Sequence, residues 1–93
     1  MNSVDFEQKL SQDGYSASQR ELSAIGINEA HSHAWDVRAL VTAGDITLTV
    51  DGVATKYQAG DVFTMKAGCM HREQVGAAGV TYIAGRRDIA AAA

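Results

Sequence analysis

The sequence predicts an all-β domain, a small antiparallel β-barrel with one short helix at its N-terminus. Glycines fall at positions 44, 52, 60, 68 and 76, an eight-residue period that marks repeated turns between short strands. Between two of them, Asp45-Ile46-Thr47-Leu48-Thr49-Val50 alternates strictly, so Ile46, Leu48 and Val50 share one face and Asp45, Thr47 and Thr49 the other. Only one stretch carries helical spacing, Phe6 and Leu10 near the start.

That spacing predicts a helix over residues 4–13. Asn2 or Ser3 can cap its first turn, Asp5 and Glu7 suit the positive end of the helix dipole, and Gly14 can close the C-terminus. Residues 20–86 are expected to form the barrel, with about seven or eight strands. Its clearest segments are Asp45–Val50, Val53–Gln58, Asp61–Lys66 and Val80–Ala84. Asp51-Gly52 supplies the positive-φ pair of a tight hairpin, so 45–50 and 53–58 should pair antiparallel. Proline is absent, which leaves the turns to glycine, and Ala90–Ala93 reads as a frayed tail of one domain spanning 1–93.

With 93 residues the chain is too short for two cores, and at 46% hydrophobic it has material for one. The longest uninterrupted apolar run, Ile89–Ala93, is five residues, against roughly 20 for a membrane span. The first residues carry two acids and no basic flank or apolar stretch, unlike a secretory signal. A single cysteine, Cys69, excludes an internal disulfide and fits the cytoplasm. Eight basic against eleven acidic residues leave a net charge of −3, which argues against nucleic acid and anionic membranes as partners.

The chemistry concentrates in two segments. In Glu29-Ala30-His31-Ser32-His33-Ala34-Trp35-Asp36-Val37, an extended chain puts Glu29, His31, His33, Trp35 and Val37 on one face. Imidazoles two apart on a strand can share one metal ion, though two histidines at that spacing are equally ordinary on a solvated strand. The second segment, Gly60-Asp61-Val62-Phe63-Thr64-Met65-Lys66-Ala67-Gly68-Cys69-Met70-His71, is a strand ending in a glycine turn followed by a histidine. There is no nucleophile–base pair, phosphate loop or carboxylate pair at catalytic spacing, so acyl transfer, phosphoryl transfer and glycoside hydrolysis have no support.

Together the two segments resemble the motif pair of the cupin family, in its compact one-domain, RmlC-like bacterial form. His31, His33 and Gly44 fall into register with the first motif, where Val37 stands in place of the glutamate. Gly60, Gly68 and His71 follow the second, with Lys66 for its proline and Val75 for its asparagine. The resemblance covers residues 22–86 and implies a double-stranded β-helix, or jelly-roll, barrel. It also implies that His31, His33 and His71 converge as ligands on one divalent transition metal, such as Zn, Ni, Fe or Mn.

The fourth ligand does not carry over. Val37 cannot bind a metal, and Asp36 should face away. Three outcomes follow: a three-histidine site with open positions, replacement of the acid by Glu29 or Glu73, or a polar pocket without metal. Three neutral ligands would favour a small anionic ligand in the open position. The expected function is a stand-alone binding cupin, with a metal-dependent enzyme of the three-histidine oxygenase type as the alternative. A homodimer is expected, because outward apolar residues such as Leu40 need cover. Trp35 and Tyr57 are expected in the core or a dimer surface, Cys69 as a small buried hydrophobe, Asp36 and Arg38 on the outer face, and Arg86 and Arg87 at a solvated strand end.

Overall fold

A computed structural model describes residues 2–23 and 30–88. The elements run α1 (Ser3–Gln12), β1 (Ser16–Leu22), β2 (Trp35–Val50), β3 (Val53–Gln58), β4 (Val62–Met65) and β5 (Arg72–Asp88). All strand pairing is antiparallel, in the order β1-β5-β2-β3 with β4 also on β2. The fold class is therefore the expected one, all-β with one short helix. Glu29 and the tail 90–93 lie outside the described residues.

The described residues hold five strands rather than seven or eight, and the reason is mechanical. β2 and β5, 16 and 17 residues long, continue through glycines that were expected to reverse the chain. Their pairing shifts register between Val41 and Ala43 and again between Gly44 and Ile46, so the glycines bend the strands instead of ending them. Face parity inverts across the bend: Val37, Ala39 and Val41 before it and Ile46 and Leu48 after it belong to or pack on one core. On β5 the left-handed residue is Gly79 (φ +79°), not Gly76, the fifth glycine of the period. The expected hairpin forms at Asp51 (φ 50°) and Gly52 (φ 79°), with Val50 opposite Val53.

The main core is Ala39, Val41, Ile46, Leu48, Phe63, Val75 and Val80. Tyr57 packs on it, its ring 5.3 Å from Phe63, as a core aromatic. A second cluster forms on the other side of the sheet, where α1 lays Phe6 and Leu10 onto Leu40 and Ile83. An isolated ten-residue helix is marginal, so this burial, of the order of 1.5–3 kcal/mol per side chain, holds α1 in place. The Asn2 side chain caps the helix by accepting from the Asp5 amide at 2.8 Å. Gly85 makes the close approach possible, because a Cβ there would meet the Leu10 side chain and the Arg38 carbonyl. Leu40 is thus covered by the chain's own helix, at 2% exposure, and gives no reason to expect a partner subunit.

Candidate metal centre

Backbone pairing delivers the three histidines to one place. His31 and His71 form a reciprocal antiparallel bridge, each amide donating to the other's carbonyl at 2.9 Å. Two residues on, the Gly68 amide donates to the His33 carbonyl at 2.7 Å. Gly68 (φ +83°) occupies the left-handed position of a turn closed by the Cys69 amide on the Lys66 carbonyl, and that turn aims the chain back toward His31.

The ring centroids lie 4.3 Å apart for His31–His71, 5.1 Å for His31–His33 and 5.3 Å for His33–His71. One nitrogen from each ring lies within 4.8 Å of the others, so all three share a centre no more than about 2.8 Å from each. That is close to the 2.0–2.1 Å of a zinc–imidazole bond.

His71 shows what the cluster lacks. It is buried, at 2% exposure, and its Nδ1 lies 3.1 Å from the Cys69 carbonyl, which can only accept. A proton is therefore on Nδ1, which leaves Nε2 as the nitrogen that can face a metal. That Nε2 is fully buried and has no hydrogen-bond partner. A buried polar atom without a partner is costly, and an imidazole with its other nitrogen tied to a carbonyl is the ordinary state of a metal ligand. The donor set fits a divalent transition metal.

Burial holds the His33 imidazole below its ordinary pKa range, aided by the neighbouring His71 and His31 and opposed by Glu73. His33 also stacks on Trp35, with centroids 4.7 Å apart and planes 20° from parallel. The Arg86 guanidinium lies over the Trp35 ring, 3.7 Å from its centroid. Arg86 and His33 thus both contact Trp35, and Arg86 is not a free strand end. Arg87 is likewise engaged, donating to Asp36 Oδ2 at 2.9 Å and to the Asp13 carbonyl at 3.1 Å. The spacing of Arg86 gave no hint of this, because the bend in β5 inverts the parity by which it would have been placed.

Of the acids weighed against the missing glutamate, Glu73 lies at the site. Its Oε2 is 3.5 Å from His31 Nε2 and its Oε1 4.0 Å from His71 Nε2. Val37 contributes apolar wall, and Asp36 is on the outer face as expected. Cys69 acts through its carbonyl; its half-buried thiol is not in the cluster.

Beside the cluster opens a cavity of about 640 Å³ whose wall includes His33, Trp35, Val37, Glu73, Tyr82 and Arg86. Burial raises the Tyr82 phenol above its usual pKa, and the Glu73 charge adds to it. A volume of this size suits a small organic molecule.

Comparison with known proteins agrees with this architecture. The cupin domain family matches residues 22–82, about two thirds of the chain, and the chain belongs to that family. No curated protein matches it. Among solved structures, a protein of unknown function from Rhizobium leguminosarum superposes with a TM-score of 0.73 at 13% identity, covering 81% of this chain and 71% of that one. A cupin-2 domain protein from Shewanella frigidimarina gives 0.65 at 16% identity, covering 89% and 92%. An RmlC-like cupin from the same organism gives 0.68 at 21%, covering 82% and 68%. At these identities the likeness concerns the fold. No helix among the described residues is long and apolar enough to cross a membrane.

Proposed function

We propose that this cupin binds a divalent transition metal through His31, His33 and His71 and holds a small, anionic ligand in the adjoining cavity. The observation that carries the proposal is the buried His71 Nε2 without a hydrogen-bond partner, on a ring that has one nitrogen within 4.8 Å of a nitrogen from each of the other two. Zn, Ni, Fe and Mn all accept imidazole donors, and the bound ion would supply a Lewis-acidic site for the ligand's anionic group. The chain's own contribution is to orient His71 through the Cys69 carbonyl, to line the cavity with Val37 and Phe63, and to form one wall with Trp35 and Arg86. A cytoplasmic homodimer completes the proposal. Its supporting surface is β3, an edge strand among the described residues, where Val53 is 65% exposed.

A metal-dependent oxygenase is the second reading. It is favoured by His33 standing on the cavity wall, where an ion would face a bound substrate. Calorimetric titration with Zn, Ni, Fe and Mn salts tests the shared premise. The wild-type chain is expected to bind at least one of them tightly, and His71→Ala to lose at least a hundredfold in affinity, since two ligands remain. Equal binding by wild type and His71→Ala would exclude the site.

A further inference from the structure

We infer that Glu73 is the acidic ligand of this centre, supplied from β5 where Val37 leaves the expected position on β2 without a donor. The inference rests on the metal-binding reading above. Glu73 stands on β5 two residues after His71, which immediately precedes the strand, and it lies opposite the core residue Leu48, so its side chain is on the inner face. Its register partner is Leu48, on the far half of β2, whereas Val37 pairs with Arg86 on the near half. The acid therefore reaches the cluster from a different part of the sheet than the one at which the sequence motif would place it.

The distances suit ligation. Two donors bound to one ion at about 2.0–2.2 Å stand roughly 3–3.4 Å apart. The Glu73 oxygens lie 3.5 Å from His31 Nε2 and 4.0 Å from His71 Nε2, within reach by a small side-chain rotation. The electrostatics point the same way. The Glu73 side chain is only 17% exposed, and its ion-pair contacts among the described residues are with His31 and His71, not with lysine or arginine. His71 Nε2 makes no hydrogen bond and stands 4.0 Å from the carboxylate, so among the described residues no lysine, arginine or hydrogen-bonded imidazole of His71 balances the Glu73 charge. A divalent cation between them supplies that counter-charge, and the carboxylate lowers the net charge of a three-imidazole centre from +2 to +1. The space beside Val37, freed of a side-chain ligand, becomes the place where the cavity's occupant can reach the ion.

Zinc alone is the probe. Calorimetric titration of the full chain is expected to show at least a tenfold loss of affinity in Glu73→Gln, and recovery in the double variant Glu73→Gln/Val37→Glu, which returns a carboxylate from β2. A crystal structure of the zinc-loaded wild type is expected to place a Glu73 oxygen about 2.0–2.2 Å from the ion. The inference is overturned if Glu73→Gln binds within threefold of wild type, or if it binds weakly while the wild-type carboxylate stays beyond about 3 Å from the zinc. A wild type that binds no zinc, nickel, iron or manganese overturns the metal-binding reading beneath it as well, so the two failures are distinguishable.

Discussion

The two faces of the sheet treat their polar groups in opposite ways. On the outer face, Asp36 and Arg38 are each paired: Arg38 donates to Asp13 Oδ2 at 2.6 Å, and Asp36 accepts from Arg87 at 2.9 Å. The guanidinium carbons of Arg38 and Arg87 each lie 4.6 Å from the Tyr15 ring centroid, and Leu40 beside them lies under α1. Along the inner face, polar groups are brought just as close together, yet a buried imidazole nitrogen has no partner and a carboxylate faces it without a matched cation. The outer face satisfies its own polar groups, as a structural surface does, whereas the inner face is completed only by something that is not part of the chain.

Separating the two faces experimentally should therefore separate stability from binding. The largest effect is expected from Leu10→Ala, which removes a fully buried side chain from the outer cluster. It should cost about 2–5 kcal/mol by urea denaturation, enough to lower the midpoint temperature by ten degrees or more. Below that midpoint, metal affinity should stay within about twofold of wild type, because the inner pairing of residues 31–33 with 68–71 does not involve α1. A parallel loss of affinity would mean that the helix tensions the site.

Acid should take the faces apart in sequence. The folded pKa of His33 lies below its ordinary value of 6.5, so the unfolded chain binds the extra proton first. Its contribution is fully present above pH 6.5 and is lost as the pH falls through the lowered folded value. Asp13 and Asp36 are also held below their ordinary 3.8, chiefly by the Arg38 hydrogen bond for Asp13 and the Ala67 amide for Asp36. Their contribution persists to lower pH and disappears only as the pH falls below 3.8 through the folded values. Urea midpoints measured from pH 8 to pH 3 should fall in two stages, and His33→Gln should flatten the upper stage alone. A single stage would show that the two faces titrate together.

The same contrast explains what could be read in the sequence. Local patterns survive folding when nothing distorts the strand. The 45–50 alternation, the Asp51-Gly52 turn and the Phe6–Leu10 stripe belong to this kind, whereas the approach of His31, His33 and His71 was implied by the resemblance to cupins and by no local pattern. Positions beyond a bend were not legible, because one bulge inverts parity for every residue that follows it. That is why Arg86 lies on the inner face beside Trp35. Leu40 illustrates a second limit: alternation gives the face of a residue, but not whether a partner subunit or the chain's own helix covers it. Glu73 was visible as one of two acids in phase with a histidine, and the fold supplied the distance that singles it out among the described residues.

The smallest expected effect probes a contact that joins the faces. Asp36 Oδ1 accepts from the Ala67 amide at 2.9 Å, so an outer-face carboxylate holds the turn that precedes His71. Asp36→Ala removes this bond together with the Arg87 pair, whereas Asp36→Asn keeps an oxygen for the amide and loses only the Arg87 pair, whose acceptor it replaces with an NH2 donor. If the turn's position matters to the centre, Asp36→Ala should weaken zinc binding by about two- to tenfold, the low end for a group acting through others, and Asp36→Asn should bind almost as wild type does. The same titration that scores Glu73→Gln reads both variants. Identical affinity for all three chains would mean that the Gly68–His33 and Cys69–Lys66 hydrogen bonds suffice to hold the turn. Weakening by both variants to the same degree would instead assign the effect to the Arg87 ion pair, and so to the outer-face charge network.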